Sequence, residues 1–167
     1  VSTNTKSVSG EFRIPSVWNG SNGWKQVTQT AEYLTSNDGF ENCESLTTVH
    51  IPKTFTRLGY DAFWSCGSLS TVYMGKNVTS IGDSAFYNCH SLSSVEMSEN
   101  TTTIGICAFY NCKELASIII PSKVTKIGNS AFYNSPKLKT VYLMPVLPPL
   151  FNNYRYIFPL TLPDFYV

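Results

Sequence analysis

Five cysteines, two histidines and a few acidic side chains are the residues of this 167-residue sequence best equipped for chemistry. Cys43, Cys66, Cys89 and Cys112 are evenly spaced, with no C-x-x-C pair of the kind structural zinc sites use. His50 and His90 do not share their spacing, so the sequence predicts neither a metal nor a cofactor. The four cysteines are expected to be buried free thiols, because neighbours one strand spacing apart lie farther than a disulfide allows. Cys107 falls outside that column and is expected at a partly exposed, drifted surface position. Gly82-Asp83-Ser84 resembles a fragment of an esterase turn, yet the same place reads Gly59-Tyr60-Asp61, Gly105-Ile106-Cys107 and Gly128-Asn129-Ser130 elsewhere. A position that drifts in this way behaves as a turn, not as a nucleophile. Asn37-Asp38-Gly39-Phe40-Glu41 offers oxygens to calcium without the ligand spacing of a binding loop, and is read as a turn. With no phosphate-cradling glycine loop and no H-E-x-x-H, the sequence predicts a protein that is not an enzyme.

The spacing of those cysteines belongs to a wider pattern. Phe40, Phe63, Phe86, Phe109 and Phe132 share the same 23-residue period, as do Leu46, Leu69, Leu92, Leu115 and Leu138. Further columns are Val49, Val72, Val95, Ile118, Val141 and Ile51, Met74, Met97, Ile120, Leu143. Leu58, Ile81, Ile104 and Ile127 each precede a glycine, and Ala62, Ala85, Ala108 and Ala131 each precede a phenylalanine. Val72-Tyr73-Met74 alternates as a strand does, with Tyr73 outward. Gly82 is expected to turn the chain through positive φ. Ala85, Phe86 and Cys89, at i, i+1 and i+4, then suit a short helix with one buried face. A unit this small cannot bury its apolar stripe alone, so copies stack into a solenoid with parallel strands.

The run Leu-x-x-Val-x-Ile-Pro-x-x-Val-Thr-x-Ile-Gly-x-x-Ala-Phe-x-x-Cys resembles the BspA-like leucine-rich repeat, and Leu115 to Asn134 matches it nearly throughout. Departures are Gly75 and Ser98 for the proline, Thr101 for the valine and Ser135 for the cysteine. The expected fold is therefore α/β: a right-handed leucine-rich-repeat solenoid with a curved parallel sheet on its concave face and short helices or 3-10 turns on its convex face. Residues 40–143 carry the repeats. Residues 1–39 are expected to form an atypical first repeat or cap with an inserted loop, its helix extended over Gln26 to Leu34. Residues 144–167, interrupted by Pro145, Pro148 and Pro149, are expected to form a terminal cap with one last strand.

Composition narrows the function. Twelve basic against eleven acidic residues give a formal charge of +1, without the basic excess that nucleic-acid binding requires. Only 14% of residues are charged, against about 25% in an average soluble domain. Ser, Thr and Asn make up the polar surface instead, a balance that leans towards cell-surface or secreted proteins. No apolar run is long enough for a membrane-spanning helix. The chain opens at Val1 without a leader, so an export signal is expected to have been removed or to lie outside this sequence.

On a solenoid, function resides in the outward columns. On the strand face these are Thr48, Thr71, Ser94, Ser117, Thr140 and His50, Tyr73, Glu96, Ile119, Tyr142. A second set follows the phenylalanines: Trp64, Tyr87, Tyr110 and Tyr133, read either as a stacking ribbon for sugars or as a cover for gaps between repeats. Trp18 and Trp24, on the inserted loop, form a third candidate. The resemblance implies bacterial surface proteins that attach to host matrix proteins or to other cells. The expected function is a monomeric, non-enzymatic recognition module whose partner is a host or bacterial surface protein, an extracellular-matrix protein or a glycan. The alternatives are a structural spacer within a larger surface protein and a carbohydrate-binding module.

Overall fold

Each repeat unit alternates apolar residues over one stretch and clusters them over another, and the chain answers with two strands. The structure, a computed structural model, describes residues 10–13, 17–20, 23–26, 40–144, 150–151, 156–159 and 163–166, with side chains at 10–11, 40–144, 156–159 and 163–166. Strand β1 spans Gly10–Arg13, and β2 (Val17–Gly20) and β3 (Gly23–Gln26) form an antiparallel hairpin. Long and short strands then alternate: β4 Leu46–Ile51, β5 Arg57–Leu58, β6 Thr71–Met74, β7 Ser80–Ile81, β8 Ser94–Glu96 and β9 Thr103–Ile104. The series continues through β10 Ser117–Ile120, β11 Lys126–Ile127, β12 Thr140–Leu143, β13 Leu150–Phe151 and β14 Asp164–Tyr166.

All ladders except the hairpin are parallel, as stacked copies of one unit require. The short strands form one sheet in the order β13-β11-β9-β7-β5. The long strands form β1-β4-β6-β8 and β10-β12-β14, with the ladder interrupted between β8 and β10. Register advances by one repeat: Thr48 faces Thr71, which faces Ser94, and Ser117 faces Thr140. At the start of the chain Phe12 pairs with Val49 and Arg13 with His50.

The helix expected over Asp83–Cys89 is absent, and the described residues contain no α-helix, so the described part of the fold is all-β rather than α/β. The segment is a pair of tight turns. Ser84 and Asn88 take φ of 53° and 60°, and Cys107, Asn111, Ser130 and Asn134 repeat that left-handed geometry, through which a right-handed helix cannot pass. The amide hydrogen bonds run between repeats instead: Phe86 N–H donates to Ala108 C=O at 2.8 Å, and Asn88 N–H to Tyr110 C=O at 2.9 Å.

Gly82, Gly105 and Gly128 also differ from expectation. None has positive φ; each is needed for close approach. A Cβ on Gly82 would lie 2.6 Å from Gly59 O, and one on Gly128 2.5 Å from the Ile106 nitrogen. Main chain thus packs on main chain at every step.

Between the sheets and the turns lies one continuous core. Rings of Phe40, Phe63, Phe86, Phe109 and Phe132 stack at centroid spacings of 5.4, 5.3, 5.2 and 5.3 Å. Phe158 ends the column 5.6 Å from Phe132. Beside it the thiols form a hydrogen-bonded file. Cys66, Cys89 and Cys112 S–H donate to the carbonyls of Phe40, Phe63 and Phe86 at 2.8, 3.1 and 3.4 Å. Ser135 takes the next place and donates to Phe109 C=O at 3.2 Å, so hydroxyl and thiol serve the same bond.

Candidate functional site

The long-strand sheet turns alternate side chains outward, which sets His50, Tyr73 and Glu96 in one row over Thr48, Thr71 and Ser94. Beyond the interruption, Ile119 pairs with Tyr142 and Ser117 with Thr140. The imidazole of His50 stacks on Tyr73 at 4.6 Å and 13°, and its Nε2–H donates to the Glu11 carboxylate at 2.9 Å. Tyr73 and Tyr142 are each 40% exposed and Ile119 53% exposed. Tyr142 is joined by Tyr166 of β14, ring centroids 5.5 Å apart. The predicted row is thus two patches, one polar-aromatic and one apolar-aromatic.

Glu11 and Tyr166 were not identified from sequence. Glu11 precedes the counted repeats, and Tyr166 stands one position later than the period would place it after Tyr142.

The second predicted column lies on the tight turns, not on helices. Trp64, Tyr87, Tyr110 and Tyr133 are half-buried and stack ring on ring at 6.3, 4.7 and 5.9 Å. Faces so occupied by neighbouring rings leave mainly edges to a ligand. Beside them, Asn111 Nδ2 donates to Asn88 Oδ1 at 2.7 Å, and Asn134 Nδ2 to Asn111 Oδ1 at 3.0 Å. Asn111 Nδ2 also donates to His90 Nε2 at 3.0 Å. Burial and the nearby Lys113 lower the His90 pKa, which suits this neutral, accepting role.

Trp18 pairs with Lys25 and Trp24 with Asn19 across the β2/β3 hairpin, but their side chains lie outside the described residues. The predicted helix beyond Gln26 and most of the Asn37–Glu41 turn lie outside them too, as do Pro145, Pro148 and Pro149.

The reactive groups are committed to the scaffold. Asp83 Oδ1 accepts the Ile106 N–H at 2.7 Å, and Ser84 occupies a left-handed turn position. Among the described residues no group of three or more His, Cys, Asp or Glu is placed to hold a metal ion. No described helix is long and apolar enough to cross a membrane.

All five cysteines are free. Burial pushes the Cys89 thiol up to about 12, while the Cys43 thiol beside it and then burial raise Cys66. Half-buried Cys107 is also raised, first by burial and then by Asp83. Cys107 is only half-buried while the other four thiols are buried, so a thiolate-selective reagent is expected to label Cys107 alone in the native protein and all five thiols after denaturation. Because the Cys107 pKa is raised, its labelling rate should rise with pH over a range displaced above that of an ordinary exposed thiol. Prompt labelling of a second native thiol, counted by mass spectrometry, would contradict the buried file.

The comparisons agree with this architecture. The model of the BspA type leucine rich repeat region matches residues 32–148 in six copies. The leucine-rich repeat protein of T. pallidum superposes with a TM-score of 0.70 at 28% identity, over 80% of this chain and 58% of that one. One from Bacteroides ovatus gives 0.67 at 26%, over 82% and 42%. The pneumococcal vaccine antigen PcpA, at 23% identity and 0.60, shares the fold over 64% of this chain and 26% of its own. The chain thus spans about half the length of the first two. No curated protein matches it significantly. Stacked phenylalanines, a thiol file and paired strands recurring at one period are what six tandem copies of this motif build, and the chain belongs to the BspA-type leucine-rich repeat proteins.

Proposed function

We propose that the chain is a non-enzymatic recognition module of a bacterial surface or secreted protein, binding another protein through the outward row of its long-strand sheet. One observation carries this: Tyr73, Ile119, Tyr142 and Tyr166 are large, exposed and held on paired strands. Such a surface loses little conformational entropy on association, and aromatic residues supply most of the energy at protein interfaces. Family membership supports protein binding, and the scarcity of charge supports an exported location.

A structural spacer is the second reading, favoured by the many hydroxyls that bond their own scaffold. Ser70, Thr79 and Thr102 each donate to a carbonyl one repeat earlier, at 3.0, 2.9 and 3.0 Å. Binding of the purified chain to a panel of host matrix proteins and glycans separates the two. Saturable binding to a protein, weakened about tenfold or more by Tyr73→Ala with Tyr142→Ala, is the expected result. Binding that survives the double change would move the site off this sheet, and no binding at all would favour the spacer.

A further inference from the structure

The tight turns hold the closest pair of tyrosine rings among the described residues. Tyr87 and Tyr110 stack with centroids 4.7 Å apart and planes 4° from parallel. Tyr110 and Tyr133 lie 5.9 Å apart at 27°, and Tyr142 and Tyr166 5.5 Å apart at 31°. The main chain holds the Tyr87 and Tyr110 rings in place from both sides. Phe86 N–H donates to Ala108 C=O at 2.8 Å, and Asn88 N–H donates to the carbonyl of Tyr110 itself at 2.9 Å. Asn111 Nδ2, donating to Asn88 Oδ1 at 2.7 Å, ties the next pair of side chains together as well. Two phenols so positioned are at a far higher effective concentration than two on a flexible chain. Both rings are half-buried, so an edge of each reaches solvent. Burial and then the neighbouring Tyr110 and Cys107 raise the Tyr87 pKa, so the Cys107 thiol lies within electrostatic reach of the pair.

We propose that Tyr87 and Tyr110 form an oxidative cross-linking site, at which a haem peroxidase supplied with hydrogen peroxide joins two successive repeats by a dityrosine bond. One-electron oxidation takes an electron and the hydroxyl proton from each phenol. The two phenoxyl radicals then couple through a carbon–carbon bond between ring positions ortho to the oxygens. The hydrogens displaced from those two carbons return to the oxygens, so two phenols are restored and the pair loses two hydrogens in all. One molecule of peroxide accepts the two electrons and two protons and leaves as two waters.

The bond closes a loop of one 23-residue repeat and so limits the unfolded chain in the way a disulfide does. The cysteines, all free, supply no such staple. Neither ring belongs to the long-strand sheet, so the site is independent of the protein-binding reading above.

The test treats the dilute full chain with a haem peroxidase and hydrogen peroxide, in a Cys107→Ser background that keeps a thiol from quenching the radicals. Serine already holds the same left-handed turn position at Ser84 and Ser130, so the change should be tolerated. The monomer should gain dityrosine fluorescence and become lighter by two hydrogens. Cleavage after Glu96 and Glu99 should then fail to release the piece carrying Tyr110 from the piece carrying Tyr87. Tyr87→Phe and Tyr110→Phe keep the stacked ring without its hydroxyl, and each should lower monomer dityrosine about tenfold, whereas Tyr73→Phe should leave it unchanged. The linked monomer should unfold at a higher denaturant concentration than the unlinked one. Absence of dityrosine, dityrosine confined to dimers, a monomer link that survives Tyr87→Phe or Tyr110→Phe, or an unchanged unfolding midpoint would overturn the site.

Discussion

Replacing Phe86 by alanine is expected to cost the fold about 3–5 kcal/mol, at the upper end for a core truncation. The ring is fully buried and lies 5.3 Å from Phe63 and 5.2 Å from Phe109, almost parallel to both. Removing it opens a void in the middle of a column. Collapse cannot fill the space, because the main chain on either side is pinned by Phe63 N–H to Ala85 C=O at 2.8 Å and Phe86 N–H to Ala108 C=O at 2.8 Å. Each repeat touches only its neighbours, so the loss should spread to them rather than stay local. Chemical denaturation gives the magnitude, and amide exchange should speed up around Phe63 and Phe109 as well as around residue 86. Tyr73→Ala, on the exposed side of the same stack of repeats, should stay within about 1 kcal/mol of wild type. A cost below about 1 kcal/mol at Phe86 would contradict the stacked column.

Gly105→Ala tests a different part of the same design. A Cβ there would come within 2.5 Å of the Asp83 nitrogen, Asp83 Oδ1 and the Gly82 carbonyl carbon. Two of those atoms are main chain and cannot swing away, so the repeats must separate. A single methyl group is thus expected to cost about 2–3 kcal/mol, a large overpacking penalty for so small a change. Gly67→Ala is the control. Nothing lies within 4 Å of its added Cβ, and the narrower unfolded ensemble should make that variant more stable by about 0.4–1 kcal/mol. Equal stability of the two variants would show that main-chain approach does not limit the stacking distance.

The glycines also show where sequence reasoning reaches its limit. The columns of Phe, Leu, Val and Cys revealed the period, and the register follows it residue by residue, from Thr48 and Thr71 to Ser117 and Thr140. Glycine in every repeat at one place says that a side chain is forbidden there, but not whether a dihedral or a neighbour forbids it. The short helix failed for a related reason. Ala85, Phe86 and Cys89 have the spacing of one helical face, and a double turn buries the same three residues. Asn88, Asn111 and Asn134 carried the better signal, because asparagine tolerates the left-handed region that they occupy.

The outward row was readable as a set of residues but not as a shape. Parallel stacking puts Tyr73 beside His50 whenever the period holds. The interruption between β8 and β10 belongs to the folded stack, and nothing in the repeat motif marks it. Past Pro145 the period slips. Phe158 comes later after Phe132, and Tyr166 later after Tyr142, than the spacing of the earlier columns allows, so neither aligned with its column.

Hydrogen exchange of the chain alone and with any protein that binds it saturably in the panel tests most directly whether the outward row of the long-strand sheet is the working surface. Added protection should centre on β4, β6, β10 and β12 and leave the turns that carry Tyr87, Tyr110 and Tyr133 unchanged. Protection confined to those turns, with the long strands exchanging as in the free protein, would contradict it.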